Sequence, residues 1–258
     1  MDAVARGERA LSNGSPIAVW TPDDGVRRVL IVTAHPDDVD FGTAGTVAAF
    51  TKAGLEVTYC IATNGEAGGS DRSMSRPDMA ALRQREQRAA AAQVGVTDVR
   101  FLGYPDGRLQ PTLELRRDIS RVIRQVKPER VVAPSPERRW DFIYASHPDH
   151  LAAGEAAVCA VYPDARNPFA HPELLNDEGL EPWTVNELWI GGVPGTNVAV
   201  ETTSTVDLKV AALLCHQSQI ADPAWVTDLV MTSGRAAGAE AGLPEGSTAE
   251  LFRITRIP

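Results

Sequence analysis

The sequence predicts an α/β fold in which a mostly parallel β-sheet carries helices on both faces. Two observations carry that expectation. Short runs rich in Val, Ile and Leu alternate with longer segments of helical spacing along most of the chain, which is the order of successive βαβ units. The first such run, Val29-Leu30-Ile31-Val32, is apolar without alternation, as a strand covered on both faces is.

Taken in order, residues 1–27 are polar, with only Ile17-Ala18-Val19-Trp20 strand-like, as an added edge. Residues 28–33 are a buried strand. Residues 41–53 carry apolar and small residues at helical spacing and stop at Gly54, a good C-terminal signal. Residues 57–63 are a second strand, and 65–78 a Gly/Ser/Asp/Pro loop. A helix over 79–93 ends at Gly95, a third strand covers 99–102, and Tyr104-Pro105-Asp106-Gly107 is a turn. A helix over 113–126 is stopped by Pro128, a fourth strand covers 130–133, and a helix covers 151–162. Residues 163–182 contain several prolines and no period, and loops of that length in a compact domain are usually functional or disordered. A strand over 185–190, a helix over 206–217 and a weakly ordered Gly/Ala-rich tail, ending in a short strand at 251–254, complete the chain. The expectation is one α/β domain over 1–258, with a polar extension at 1–27 and the tail at 233–258.

Composition narrows the function. With 258 residues and 43% hydrophobic content the chain can bury a sizeable core. A formal net charge of −9 argues against a nucleic-acid partner, because phosphate binding wants a basic face. No apolar run approaches the roughly 18 residues that span a bilayer, and the first residues lack the pattern of a signal peptide. Cys60, Cys159 and Cys215 are few and far apart, so they read as small buried side chains rather than a disulfide framework. A cytoplasmic location is the simplest expectation. The oligomeric state is left open, a homo-oligomer included.

The chemistry is concentrated in two clusters about 110 residues apart: Ala34-His35-Pro36-Asp37-Asp38, directly after the first strand, and His147-Pro148-Asp149-His150, directly before an alanine-rich helix. In open α/β sheets, sites lie beyond the C-terminal ends of the strands, so both clusters can meet on one edge. His35 and Asp38 are three apart and can be aimed at one point by a single turn. Asp37 and Asp38 are neighbours and cannot both point that way. Pro36 and Pro148 suit a first helical turn. Three ligands with an open position characterise a catalytic zinc site, and these are assigned to His35, Asp38 and His150. One divalent ion, zinc by this reading, would bring the pKa of bound water towards about 7. Asp37 is then the general base. His147 faces the substrate, stabilising the oxyanion as imidazolium and protonating the leaving amine. Asp149 is a carboxylate that orients an imidazole. A lone His-Pro-Asp is as readily a turn with a helix cap; two clusters at two strand-to-helix boundaries are what outweigh that reading. His171 and His216 read as structural.

At these residues the chain resembles the LmbE-like, or PIG-L, de-N-acetylases. The first cluster after a buried strand matches one signature of that family and His147-Pro148-Asp149-His150 the other. Weaker similarities run through Thr63-Asn64-Gly65-Glu66, Arg83-Gln84-Arg85-Glu86, residues 102–107 and His216-Gln217-Ser218-Gln219. The resemblance covers roughly residues 28–220. It implies a Rossmann-like fold, a zinc ion and hydrolysis of an N-acyl group on an amino sugar, usually N-acetylglucosamine. It also places the ligands on His35, Asp38 and His150, the base on Asp37 and the electrophilic histidine on His147. Many members carry Glu after the double aspartate; here Val39 follows and Asp40 comes next, so a contact beside the metal is lost or moved to Asp40. Sugar hydroxyls need charged hydrogen-bonding groups, for which Glu66, Arg72, Arg83 and Asp106 are the candidates. The loops 65–78 and 163–182 are the expected lids.

The leading expectation is therefore a metal-dependent hydrolase removing acetate from an N-acetylglucosamine-type sugar or glycoconjugate. Its close variant is an amidase acting on a larger N-acyl glucosaminyl thiol conjugate. A two-metal phosphoesterase needs more bridging carboxylates than can be placed. A non-catalytic sugar-binding module leaves Asp37 and His147 unexplained, and the segment after the first strand has no Gly-x-Gly-x-x-Gly for a dinucleotide.

Overall fold

A computed structural model describes residues 17–22 and 25–258; most of the N-terminal extension expected at 1–27 lies outside them. In chain order the elements are β1 (Ala18–Val19), β2 (Arg28–Thr33), α1 (Asp38–Gly42), α2 (Ala44–Lys52), β3 (Glu56–Thr63), α3 (Arg76–Gln93), β4 (Asp98–Tyr104), α4 (Leu113–Val126), β5 (Arg130–Pro134), α5 (Pro148–Cys159), α6 (Pro172–Asn176), β6 (Glu187–Gly191), β7 (Val198–Glu201), α7 (Val206–Leu213), α8 (Pro223–Glu240) and β8 (Ala249–Arg256). A short 3₁₀ turn, Ile143–Ser146, precedes α5.

The described strands form one sheet in the order β1-β7-β8-β6-β5-β2-β3-β4. All pairings are parallel except those of β8, which runs antiparallel to both β6 and β7. The chain steps outward from β2 through β3 to β4, then crosses back to β5 on the other flank of β2. That reversal is a topological switch point, and the crevice beyond the C-terminal ends of the flanking strands is where open α/β sheets bind ligands. The segments leaving β2 and β5 hold the two His-Asp clusters.

Strand β2 shows why helices cover both faces. Side chains alternate along a strand, so Val29 and Ile31 point into one core with Val47 and Phe50 of α2 and Ala90 of α3. Leu30 and Val32 point into the other, with Leu115, Ile119 and Ile123 of α4 and Ala153 and Ala156 of α5. Helix α4 spans the residues its pattern predicts. Thr112 caps it by accepting from Leu115 N (3.3 Å), and Lys127 ends it in the left-handed region, φ 54°, just before Pro128. No helix among the described residues is long and apolar enough to cross a membrane.

Several boundaries differ from expectation. Helix α3 begins at Arg76, not 79, because Ser75 caps it and Pro77 suits its first turn. Helix α5 begins at Pro148, the proline expected in a first helical turn, and so takes in Asp149 and His150 ahead of the expected start at 151. The long loop at 163–182 contains α6. Helix α7 stops at Leu213, leaving His216 outside it. The largest correction is the tail at 233–258: its first residues belong to α8 and its last form β8, an interior strand. Glycines inside α8 made the segment read as loose; Gly234 lies so close to Thr248 that a Cβ would stand 3.0 Å from that side chain's Cβ. They serve close approach. Strand β7 also escaped the sequence reading, and β1 is the edge strand anticipated at 17–20, paired with it.

Small residues set α5 close to the end of β5. A Cβ on Gly154 would stand 2.5 Å from Pro134 O and 2.9 Å from Pro136 N, backbone atoms that cannot swing away. Helix propensity alone would make Gly154→Ala stabilising by about 1 kcal/mol. Overpacking should reverse the sign and leave the variant less stable by about 1–3 kcal/mol, as read by denaturant titration.

Candidate metal and catalytic centre

The two clusters meet. The chain leaves β2 at Thr33, turns through Ala34–Pro36 and enters α1 at Asp38; the second cluster lies at the start of α5. The rings of His35, His147 and His150 form a triangle with centroids 5.0, 5.2 and 5.4 Å apart. Asp38 joins the clusters: its Oδ1 lies 3.1 Å from His150 Nε2 and its Oδ2 3.5 Å from His35 Nδ1. The same Oδ2 accepts the main-chain N–H groups of Ala34 (3.1 Å) and His35 (2.8 Å), so the carboxylate is fixed from within its own turn.

Two carboxylates stand behind His35. Its Nε2 lies 3.0 Å from Asp106 Oδ1 and 3.3 Å from Asp149 Oδ2. Asp149, 1% exposed, also accepts from Gly107 N (2.8 Å) and Leu109 N (3.2 Å). Asp106 Oδ2 accepts from Ala67 N (2.8 Å). The trio His35, Asp106 and Asp149 has the proximity of a metal-ligand set. Its distances, however, are those of a shared imidazole N–H, and main-chain donors fill the remaining oxygens. These two aspartates fix the His35 ring from behind, a geometry that would suit a metal-ligating histidine.

The electrostatics point the same way. Burial works against a charged His35, yet its contacts with Asp106, Asp149 and Asp38 push its pKa up to about 12. Burial opposes charge on Asp38 too, but the fields and hydrogen bonds of His150 and His35 hold its carboxyl well below the usual range. His150 is raised by Asp38 against its own burial. So much carboxylate around so few imidazoles calls for positive charge, which protons on the rings or a cation can supply. His35 Nδ1, Asp38 and His150 Nε2 converge and could hold a divalent cation. His147 is close enough to join His35 and His150 as a ligand set, but it is the exposed member, and its Nδ1 accepts from Asp149 N (3.2 Å). That bond places the proton of a neutral ring on Nε2.

Asp37 is set apart from Asp38 by its backbone. Its φ is 90°, in the left-handed region that costs a non-glycine residue on the order of 1–3 kcal/mol and persists only where surroundings enforce it. Arg83 helps enforce it: Nη2 donates to Pro36 O (2.6 Å) and to Asp37 Oδ2 (3.0 Å), and Nη1 donates to Gly65 O (2.8 Å). Burial raises the Asp37 carboxyl to about 6 against the pull of Arg83, with the charge of Asp38 adding to the rise. A base near neutrality is what proton abstraction from water asks for.

The four residues expected at sugar hydroxyls are placed unequally. Arg83 is buried and engaged as described. Asp106 lies under His35. Glu66 Oε1 accepts from Asp106 N (2.9 Å) and from Arg76 Nη2 (3.2 Å). Arg72 is exposed in the loop before α3. The sequence reading missed Gln87, whose Oε1 accepts from Asp37 N (2.7 Å); a glutamine inside a charged, alanine-rich helix carries no local signal of that contact. His216, read as structural, is buried on Asp40 at 2.7 Å, and Asp40 is the residue to which the departure after the double aspartate pointed.

Rossmann-like topology, a switch-point crevice and an imidazole–carboxylate centre define the frame of a metal-assisted hydrolase. Residues 30–161 match the PIG-L family, GlcNAc-PI de-N-acetylase, and the chain belongs to that family. It is 31% identical over 204 residues to a diacetylchitobiose deacetylase of Thermococcus kodakarensis, covering 79% of this chain and 74% of the relative. It is 33% identical over 203 residues to a probable N-acetyl-alpha-D-glucosaminyl L-malate deacetylase 2 of Bacillus anthracis, covering 76% and 82%. Among solved structures, the N,N'-diacetylchitobiose deacetylase of Pyrococcus horikoshii superposes with a TM-score of 0.83 at 30% identity, covering 91% of this chain and 86% of that one.

The Arg83–Asp37 contact yields a signed prediction for the metal-free protein. Asp37 has a folded pKa of about 6, above the unfolded value near 3.9. Its ionisation therefore penalises the fold between those values and fully above them. Arg83→Met removes the compensating charge and pushes the folded pKa higher, so the added penalty accrues above about 6. The variant should lose about 3–5 kcal/mol at pH 8 and clearly less at pH 5. Denaturant titrations at the two pH values check the sign.

Proposed function

We propose that this protein is a zinc-dependent deacetylase that hydrolyses the N-acetyl group of an N-acetylglucosamine-type sugar or glycoconjugate. The observation that supports this best is Asp38 lying between His35 and His150, with Asp37 turned out of that set by its positive φ. Two imidazoles and one carboxylate with an open side fit a catalytic zinc ion. Held by His35, Asp38 and His150, that ion supplies the Lewis acidity that polarises an amide carbonyl and acidifies water.

The chain's own residues do the rest. Asp37 accepts the proton of the attacking water as its oxygen adds to the acyl carbon. His147 faces the open side and donates its Nε2–H to the developing oxyanion. Its Nδ1 accepts from Asp149 N, which leaves Nε2–H as the donor. The proton held by Asp37 passes to the departing nitrogen as the C–N bond breaks, giving acetate and the free amino sugar. Asp106 and Asp149 keep His35 aimed. Arg72, exposed in the loop before α3, is a candidate for sugar hydroxyls. The substrate class follows the relatives, a diacetylchitobiose deacetylase and a probable glucosaminyl-malate deacetylase. A cytoplasmic setting suits the three free thiols.

Acetate release from N-acetylglucosamine, diacetylchitobiose and malate- or inositol-linked N-acetylglucosamine tests the reading; a zinc-loaded protein that releases none of it ends the proposal. Asp37→Asn should keep its metal while kcat falls on the order of 10²–10⁴-fold, whereas loss of metal would reverse the division of roles between Asp37 and Asp38. His150→Ala should weaken zinc binding by about 100-fold or more, beyond the loss of an outer-shell partner. Titration against a competing chelator measures this, and undiminished affinity would remove His150 from the ligand set.

A further inference from the structure

Arg83 is only one of the restraints on Asp37. The others form a buried chain of hydrogen bonds that the reaction scheme above does not use. Gln87 Oε1 accepts from Asp37 N (2.7 Å), and Gln87 Nε2 donates to Asp40 Oδ2 (2.9 Å). The amide can be oriented in one way only, because a main-chain N–H must donate and a carboxylate must accept. The same Asp40 oxygen receives His216 Nε2 at 2.7 Å. Gln87, Asp40 and His216 are each fully buried, at 0% exposure. They come from three separate segments: α3, α1 and the turn after α7.

We propose that Gln87 and His216 are positioning residues for the proton-accepting carboxylate. Gln87 holds the main-chain N–H of Asp37 and so keeps that residue at positive φ. His216 holds Asp40, and Asp40 holds the Gln87 amide. The inference rests on the reading of Asp37 as base and adds the residues that aim it. The turn bearing His216 is itself fastened to α3, since Ser218 donates from N (2.8 Å) and Oγ (2.6 Å) to Glu86. One helix therefore presents Arg83, Glu86 and Gln87 on adjacent positions of a single face, and two of the three touch the Pro36-Asp37 turn directly. Removing Gln87 frees the main chain to relax while the turn formed by Asp38 with Ala34 N and His35 N stays intact. The loss should therefore fall on turnover and not on the metal.

The test uses the zinc-loaded enzyme and Gln87→Met, which keeps length and loses both hydrogen bonds. Its kcat should fall on the order of 10- to 100-fold, the scale of a misplaced reacting group, with KM and zinc content unchanged. In an Asp37→Asn background the same substitution should change kcat by less than about twofold, because the group it aims is gone. His216→Gln, whose amide can still donate to Asp40, should keep most of the activity that His216→Ala loses. These two variants carry the comparison if Gln87→Met does not fold. A crystal structure of Gln87→Met, or of His216→Ala in its place, should show Asp37 out of the left-handed region. Equal losses in both backgrounds, loss of zinc in place of turnover, or Asp37 unmoved with full kcat would each overturn the proposal. If the wild type releases no acetate from any of the sugars, the functional reading fails, and the position of Asp37 in the variant crystal decides this inference alone.

Discussion

Strands β2 and β5 pair in parallel, and that pairing sets the geometry of the centre. Ile31 lies in register with Val132, so the segments leaving the two strands emerge side by side, and each runs into a helix that begins with part of one His-Asp cluster. No contact between residues 35–38 and 147–150 is short-range in sequence. Their meeting follows from the reversal of strand order, which places consecutive crossovers on opposite flanks of β2. A shift of one residue in that register would turn Leu30 and Val32 to the wrong core as well as separate the clusters. Packing on both faces therefore also holds the centre together.

Charge balance organises the site within that frame. Four aspartates, at positions 37, 38, 106 and 149, surround His35 and its neighbours, and the protein offers them Arg83, main-chain N–H groups and imidazoles. The means of compensation differ: Asp37 has Arg83, Asp38 has His150 and its own turn, and Asp106 and Asp149 share His35 Nε2. Groups with such different surroundings titrate apart, which is the condition for one aspartate to act as base while its neighbour remains a ligand.

The parts of this arrangement legible from sequence are those encoded locally. His-Pro-Asp-Asp after an unbroken apolar run and His-Pro-Asp-His before an alanine-rich helix identify the centre without coordinates. The spacing of Leu115, Ile119, Val122 and Ile123 marks α4, and apolar runs mark β2, β3 and β5. The parts that escaped depend on distant partners. Gly234 reads as a helix breaker until Thr248 is seen packed against it. Strand β8 carries Glu250, buried because it accepts from Gly45 N, Thr46 N and Lys209, a contact no local pattern signals. Helix α3 is rich in Ala, Arg and Glu, and it buries Arg83, Glu86 and Gln87 because the turns at 36–40 and 216–218 supply their partners. The contacts of Glu66, Arg83 and Asp106 within the protein were not legible for the same reason: a charged residue near a site has no local signature of the loop it braces.

That bracing explains how two adjacent aspartates meet different partners, Asp37 with Arg83 and Asp38 with His150. In an extended or helical turn, consecutive side chains diverge by an angle the backbone fixes. A left-handed residue at 37 changes that angle, and glycine, which tolerates it best, has no carboxylate to offer. The chain keeps the aspartate and accepts the strain. The enforcement comes from outside the turn: Arg83 on the preceding carbonyl, Gln87 on the N–H and, at one remove, Asp40 and His216. Strain of this kind is held by a rigid surround and cannot be held by a flexible one. It follows that the buried polar face of α3, costly as core packing, is explained by the turn it controls and not by the stability it adds.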